Sequence, residues 1–500
     1  MRQFVNGVRC VRISAAMLLV AVVGTLEVSG LPAIGRAGAA IGHLGATWGH
    51  AELVPGLVAL NTAGESEVTD ISCAAARNCA AVGYLDNTAN GLEPLVADET
   101  GGVWGHAIPI VGIPDEKSGR EAAVLGAVSC PAPGDCSAAG WWSTGTPDDS
   151  LEHLFVVDEV DGAWQSASAL QGLAPKLSDL IGAFPPALLR PLSLSCWSSG
   201  NCALGGESPT ESTGGLAEGF VANELGGVWQ KAAILSGLAP TKTKQESAVN
   251  SVSCSTGGYC TAGGWGNVTG EGFVATGVEG TWGRVEPLPG LTALEQKRGA
   301  PLPVVGAVTC PAPGHCSAVG EYYARGPHAE GFVAQQSGGV WGMAVAIPGL
   351  ARLNKGGGVQ VTALVCRADD CSAGGFYRDG TGHQRGFVVE AVQGRWRTAI
   401  EVPGVQGMGV TSIVSSLSCS SPGDCAVVGF AGTQAGAKQG IVAAEINGTW
   451  GRAEVIPGLM TLNADAYADG LTLSCSGALD CSSSGIYASA RGYEVFVTTG

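Results

Sequence analysis

The residues best placed to do chemistry are the cysteines. Sixteen of the seventeen fall into close pairs: Cys73/Cys79, Cys130/Cys136, Cys196/Cys202, Cys254/Cys260, Cys310/Cys316, Cys366/Cys371, Cys419/Cys425 and Cys475/Cys481. Seven pairs are C-x5-C and one, Cys366/Cys371, is C-x4-C. Thiols so spaced could bridge, bind metal or exchange electrons. A structural metal needs four ligands around one ion, and no histidine lies near a pair at zinc-finger spacing. Redox exchange favours C-x2-C. Structural disulfides remain, each closing a short loop that contributes roughly 2 kcal/mol in the chain-entropy model. No metal site is expected.

Other reactive constellations are sparse. The chain has no H-E-x-x-H, G-x-S-x-G or P-loop sequence, so no catalytic residue and no cofactor is assigned. A glycosidase would need two carboxylates at a defined separation. Asp148, Glu207, Glu321 and Asp379 are the candidates, but carboxylates are common on so acidic a chain.

The cysteines also define the elements that position everything else. First cysteines recur after 57, 66, 58, 56, 56, 53 and 56 residues, which signals a repeat architecture. Two positions before each first cysteine stands Ile71, Val128, Leu194, Val252, Val308, Leu364, Leu417 or Leu473. The residue between is Ser or Thr except at Val365. This alternation predicts a half-buried strand. Four positions after each second cysteine comes a glycine, Gly83 through Gly485, after small residues that predict a crowded second strand. A third strand ends near Val96, Val156, Val221, Val274, Val333, Val388 or Val442, and a tryptophan follows each valine by eight residues, as in Asn447-Gly448-Thr449-Trp450. Four strands in about 57 residues make a propeller blade.

The last repeat reaches Val497 without a tryptophan, whereas Gly45-Ala46-Thr47-Trp48-Gly49 is a tryptophan strand without a preceding hairpin partner. Pairing the termini would cover edges that an open stack exposes. The expectation is an all-β, eight-bladed β-propeller of four-stranded blades, closed by its N- and C-terminal strands, with one disulfide per blade.

The pattern [ILV]-S-C-x5-C-x3-G followed by N-G-T-W resembles Cys-pair repeats of secreted bacterial proteins of unknown function. Ser418 to Gly429 and Asn447 to Trp450 carry the likeness, which extends over residues 40–500. The repeat also looks distantly kelch-like, with Gly205-Gly206, Gly263-Gly264 and Gly374-Gly375 closing strand two. It lacks the kelch tyrosine, so no kelch-type partner is implied.

Length varies in only two segments. Second cysteine to tryptophan runs from 22 residues (Cys260 to Trp282) to 28 (Cys136 to Trp164), and tryptophan to next cysteine from 23 (Trp396 to Cys419) to 32 (Trp164 to Cys196). Both segments emerge on one end of a four-stranded blade, and binding residues usually sit on such loops. There the expected ligand contacts are Trp142, Trp265, Tyr323, Arg325, His328, Tyr377, Arg378 and His383, since rings beside hydrogen-bonding groups suit sugars or a protein partner. In the longest insertion, Leu173 to Arg190, apolar spacing supports at most a two-turn helix before Pro185-Pro186.

Composition sets compartment and partners. Apolar residues at 45% exclude a disordered chain, and the scarcity of helical runs excludes a bundle. A net charge of −17 disfavours nucleic acid and anionic membranes. Arg2, Arg9 and Arg12 precede an apolar run, Ile13 to Leu26, and Ala37-Gly38-Ala39 offers a small-x-small site. Residues 1–39 therefore read as a secretory signal, with an uncleaved anchor as the alternative. Removing Cys10 with that segment leaves an even cysteine number, suited to an oxidising compartment. The expectation is one secreted, monomeric domain over 40–500 with no membrane span after cleavage. It would recognise a glycan or protein partner at the cell surface; a secreted carbohydrate-active hydrolase or lyase is the alternative.

Overall fold

The computed structural model describes residues 48–500 apart from 88–90, 114–119, 145–150, 174–175, 178–191, 210–216, 239–245, 267–270, 296–301, 326–327, 434–435, 464–466 and 478–479. The proposed signal segment lies outside the described residues. So do Asp148 and most of the Leu173–Arg190 insertion. Where that insertion is described it is extended rather than helical, with Leu177 opposite Leu151. Among the described residues, no helix is long and apolar enough to cross a membrane.

The seventh repeat shows how each unit is built. Strand one, Thr411–Ser421, turns into strand two, Asp424–Gly432; strand three is Lys438–Ile446, and Thr449–Trp450 begins the fourth. All pairings are antiparallel, and Cys419 stands directly opposite Cys425. A disulfide clamps this hairpin in every repeat. The first four join Cys73 to Cys79, Cys130 to Cys136, Cys196 to Cys202 and Cys254 to Cys260. The others join Cys310 to Cys316, Cys366 to Cys371, Cys419 to Cys425 and Cys475 to Cys481. Their Cα atoms are 3.9 to 4.1 Å apart. Asn447 and Gly448, at φ of 50° and 74°, supply the left-handed pair that a tight hairpin of right-twisted strands requires.

Glycine at the end of strand two has a specific cause. In the second repeat strand one bulges between Leu125 and Ala127, across from Gly140. A Cβ on Gly140 would run into the Val124 carbonyl and the ring of Phe155, which lies opposite on strand three. The fully buried phenylalanine thus covers the glycine, and Phe220, Phe273, Phe332, Phe387 and Phe496 are likewise fully buried.

Successive repeats pack through their first strands. The serine before each first cysteine ties the repeats together: Ser72, Ser129, Ser195, Ser253 and Ser418 Oγ accept the N–H of Cys130, Cys196, Cys254, Cys310 and Cys475 at 2.9 to 3.0 Å. Ser474 accepts Cys73 N–H at 3.0 Å in the same way, joining the last repeat to the first. At the ends of the chain, Glu52 and Leu53 pair with Val497 and Phe496, and Gly49 N–H donates to Thr499 O at 2.6 Å. Four-stranded antiparallel sheets packed by their inner strands, with tryptophan strands outside, make a β-propeller.

Candidate functional site

The cysteines, first among the candidates for chemistry, belong to the frame and not to a site. A bridged sulfur has no thiolate to attack a substrate or bind a metal. The second cysteine of each pair is also interior: Cys79, Cys136, Cys202, Cys260, Cys316, Cys371, Cys425 and Cys481 are at most 5% exposed. Several face hydroxyls of the preceding repeat instead of solvent. Cys202 Sγ lies 3.4 Å from Ser137 Oγ, and Cys316 Sγ lies 3.3 Å from Thr261 Oγ.

This strand order sends the cysteine turns and the third-to-fourth-strand turns to one end of each repeat. The length-variable loops lie at the other end. On the loop end, two expected ligand contacts are interior. Trp142 is 3% exposed, stacks on His153 at 4.6 Å and meets Phe155 edge-on. Tyr377 is also 3% exposed, and its hydroxyl donates to Glu401 at 3.1 Å. Tyr84 and Tyr487 repeat this idiom on Glu67 and Glu494. These rings complete strand two against the neighbouring repeat, so neither Trp142 nor Tyr377 presents a face to a ligand.

Trp265 and Tyr323 are half-buried, while His328 and Arg378 are exposed. Arg325 and His328 are paired at the tip of the fifth repeat's hairpin. Ala329, the next residue, donates its N–H to Gly357 O at 3.1 Å; the Arg378 backbone donates to Gly358 O and accepts from Gly356 N–H. His328 and Arg378 therefore flank one loop, 354–358. His383 lies beyond, within a turn organised by Asp379. There, burial is outweighed by hydrogen bonds from Thr381, Arg385 and the His383 N–H, which hold the carboxyl at about 2. Arg385 completes that turn 3.3 Å from Asp379. Trp142 and Trp265 belong to the second and fourth repeats, away from this group. Glu321 is not free for chemistry either: it accepts Val361 N–H at 2.7 Å across the fifth seam, and burial raises it to about 7.

A second arrangement, missed in the sequence, lies on the cysteine-turn end. Third strands carry glutamates at Glu99, Glu159, Glu224 and Glu445, three residues past the repeat valine. At two seams a hydroxyl from the preceding repeat reaches one carboxylate oxygen: Ser482 donates to Glu99 Oε2 at 2.6 Å, leaving Oε1 without a partner, and Ser137 donates to Glu224 Oε2 at 3.0 Å. Between the sixth and seventh repeats the corresponding hydroxyl, Ser372, lies against Cys425 Sγ at 3.4 Å, as Ser137 does against Cys202 Sγ, but makes no hydrogen bond to Glu445. Glu445 is 1% exposed, and neither carboxyl oxygen has a donor. Burial raises its pKa well above the usual carboxylate range, and the Glu390 carboxyl facing it adds to the effect.

Around this pair is a cleft of about 270 Å³ lined also by Arg367, Asp370, Arg397 and Asn447. Cys371, Cys419 and Cys425 border it as bridged sulfurs, whereas Cys79, Cys202, Cys316 and Cys481 belong to other repeats and do not reach it. Glu390 is held by Trp450 Nε1–H at 2.5 Å and by Arg397 at 3.6 Å. Asp370 accepts Gln393 N–H. Arg367 makes no hydrogen bond or ion pair among the described residues, and burial lowers its pKa. The sequence signal was the C-x4-C pair itself: the sixth repeat has the short turn, Val365 in place of Ser or Thr, and the two arginines. No group of acidic, histidine and cysteine side chains among the described residues is arranged to hold a metal.

No family model matches the sequence, and no curated protein matches it. Solved structures do resemble it. A Dyadobacter fermentans protein of unknown function is 10% identical, with 62% of this chain and 93% of that chain covered, at a TM-score of 0.36. Penicillium chrysogenum α-L-arabinanase, solved with arabinobiose, is 10% identical over 73% and 89%, at 0.37. The six-bladed fucose-recognising lectin of Aleuria aurantia is 13% identical over 65% and 93%, at 0.33. The class assigned here, a disulfide-clamped β-propeller, rests on the strand order and seams of the chain itself.

Proposed function

We propose that this chain is a secreted, non-catalytic recognition propeller of eight blades, closed through its terminal strands, that binds a glycan or protein partner with its variable-loop end. Secretion is supported by the eight disulfides and by the signal-like residues 1–39. Closure is supported by the pairing of Glu52 with Val497 and by the Ser474–Cys73 bond. One observation carries the binding reading: His328 and Arg378, from different repeats, flank the same loop on the rigid frame. With half-buried Tyr323 and His383 nearby, that junction offers a ring face, a cation and hydrogen-bond donors together, whereas Trp265 would form a separate contact.

Screening the purified protein against glycan and cell-wall fragments tests this reading. A ligand whose binding weakens about tenfold in His328→Ala and Arg378→Ala, and not in Arg367→Gln, supports it. Binding unaffected by both loop variants would place the site elsewhere. The alternative, a carbohydrate-active hydrolase, would draw on Glu390 and Glu445. Glu390 is already engaged by Trp450 Nε1–H and Arg397, which disfavours it as a free nucleophile.

A further inference from the structure

We propose that the cleft between the sixth and seventh repeats is a second binding site, for a small hydroxylated carboxylate such as a uronic acid presents, with Arg367 taking the carboxylate and Glu445 the neighbouring hydroxyls. The inference is independent of the loop-end reading and concerns the opposite end of the propeller.

Hydrogen-bonding capacity selects the ligand class. Arg397 lies against Glu390, and Asp370 serves a backbone N–H, so Arg367 is the guanidinium without a side-chain partner. A guanidinium fork is matched by a carboxylate, which can take two parallel hydrogen bonds. A neutral sugar offers that fork no bidentate acceptor. A divalent metal would meet two guanidinium groups in the same cleft, which opposes it.

The second unpartnered group selects what surrounds the carboxylate. Glu445 is buried, lines the cleft and has no donor on either oxygen. Burial favours its protonated form, which can both give and accept a hydrogen bond, as a sugar hydroxyl needs. At the corresponding position Glu224 takes the Ser137 hydroxyl and Glu99 takes that of Ser482 on one oxygen, whereas Glu445 has a hydroxyl on neither. A volume of about 270 Å³ suits one pyranose ring with its carboxylate.

The cleft has a local origin. The sixth repeat's cysteine turn is one residue shorter than the others, and the Pro422-Gly423 turn of the next repeat lines the cleft beside it.

Calorimetric titration of the full protein with D-galacturonate and D-glucuronate tests the proposal, with D-galactose and acetate as controls. One saturable site for the uronates is expected, with both controls weaker by about tenfold or more. Arg367→Gln should weaken uronate binding at least about tenfold, Arg367→Lys less, and His328→Ala not at all. Glu445→Gln keeps a donor and an acceptor but cannot ionise, so it should weaken binding by only a few-fold and flatten its pH dependence between about pH 5 and 8. Melting curves establish that each variant is folded. Trigalacturonate binding more tightly than the monomer would indicate a polysaccharide end as the source, and equal binding a free acid; either supports the site. No uronate binding at roughly 10 mM, acetate binding as tightly, or full affinity in Arg367→Gln would overturn it.

Discussion

Two seams of the propeller invert what chain connectivity suggests. The last repeat meets the first with no peptide link between their packed inner strands. Yet both hydroxyl bonds of the repeat are present there: Ser474 accepts Cys73 N–H, and Ser482 donates to one oxygen of Glu99. The sixth and seventh repeats are joined directly in sequence. Their seam nonetheless has Val365 where a hydroxyl should be, and a carboxyl, Glu445, without a donor. Seam quality is therefore set by side chains at fixed repeat positions.

The largest effect should come from breaking the terminal seam. Deleting Gly45 to Val54 removes Gly49, Glu52 and Leu53 from the last repeat's edge and Val54 from the core. The melting temperature should fall by about 10 °C or more, or the protein should become insoluble. A truncated protein that melts like the parent would refute closure through the termini.

Next comes pH. Burial, joined by Asp98 and Asp135 for Glu159 and by Asp158 for Glu224, lifts both carboxyls to about 7 from an ordinary 4.5. Glu321 is likewise at about 7 through burial. A folded pKa above the unfolded one means the folded state holds its proton more tightly. The associated stability is fully present below about pH 4.5 and is lost as pH rises through 7. Scanning calorimetry should find the melting temperature lower at pH 8 than at pH 5 by on the order of 5 °C. A higher value at pH 8 would show that these groups are not buried in this way.

A paired substitution then sharpens the contrast between seams. Glu224→Leu strands the Ser137 hydroxyl and should destabilise by about 1–2 kcal/mol at pH 6. Glu445→Leu removes an unsatisfied carboxyl and should be neutral or stabilising, by up to about 2 kcal/mol at pH 8. Denaturant titration of both variants checks the opposite signs; equal losses would erase the difference between the seams.

Much of this was legible in the sequence because the repeat states it eight times. The paired-cysteine hairpins, from Cys73 with Cys79 to Cys475 with Cys481, and the glycine closing strand two have fixed places and appear as expected. Side-chain exposure on the loop end was not legible. A ring after Gly140 or Gly375 continues a strand buried on both faces, so alternation does not separate Trp142 and Tyr377, which are interior, from half-buried Tyr323. The cleft was hidden for another reason. Glu445 aligns with Glu99 and Glu224 in sequence, and only the partner across the seam tells a satisfied carboxylate from an unsatisfied one. The short Cys366–Cys371 turn was visible, but its meaning depends on what the next repeat places opposite.

The smallest expected effect tests whether the weak seam can be made like the strong one. Val365 occupies the position of Ser474 and Ser418 but offers no oxygen to Cys419 N–H. Threonine keeps a branched side chain against the core patch that Val365 packs on and adds the missing acceptor. A hydroxyl in a core is usually a cost, because it loses water without gaining a partner. Here the backbone geometry of six other seams says that the partner is waiting. Val365→Thr should therefore stabilise by about 0.5–1 kcal/mol, raising the melting temperature by roughly 1 °C. It should also leave uronate binding unchanged, because Arg367 and Glu445 are untouched. Destabilisation would mean that the sixth and seventh inner strands are set farther apart than the other pairs, and that the cleft follows from their separation rather than from the shortened turn.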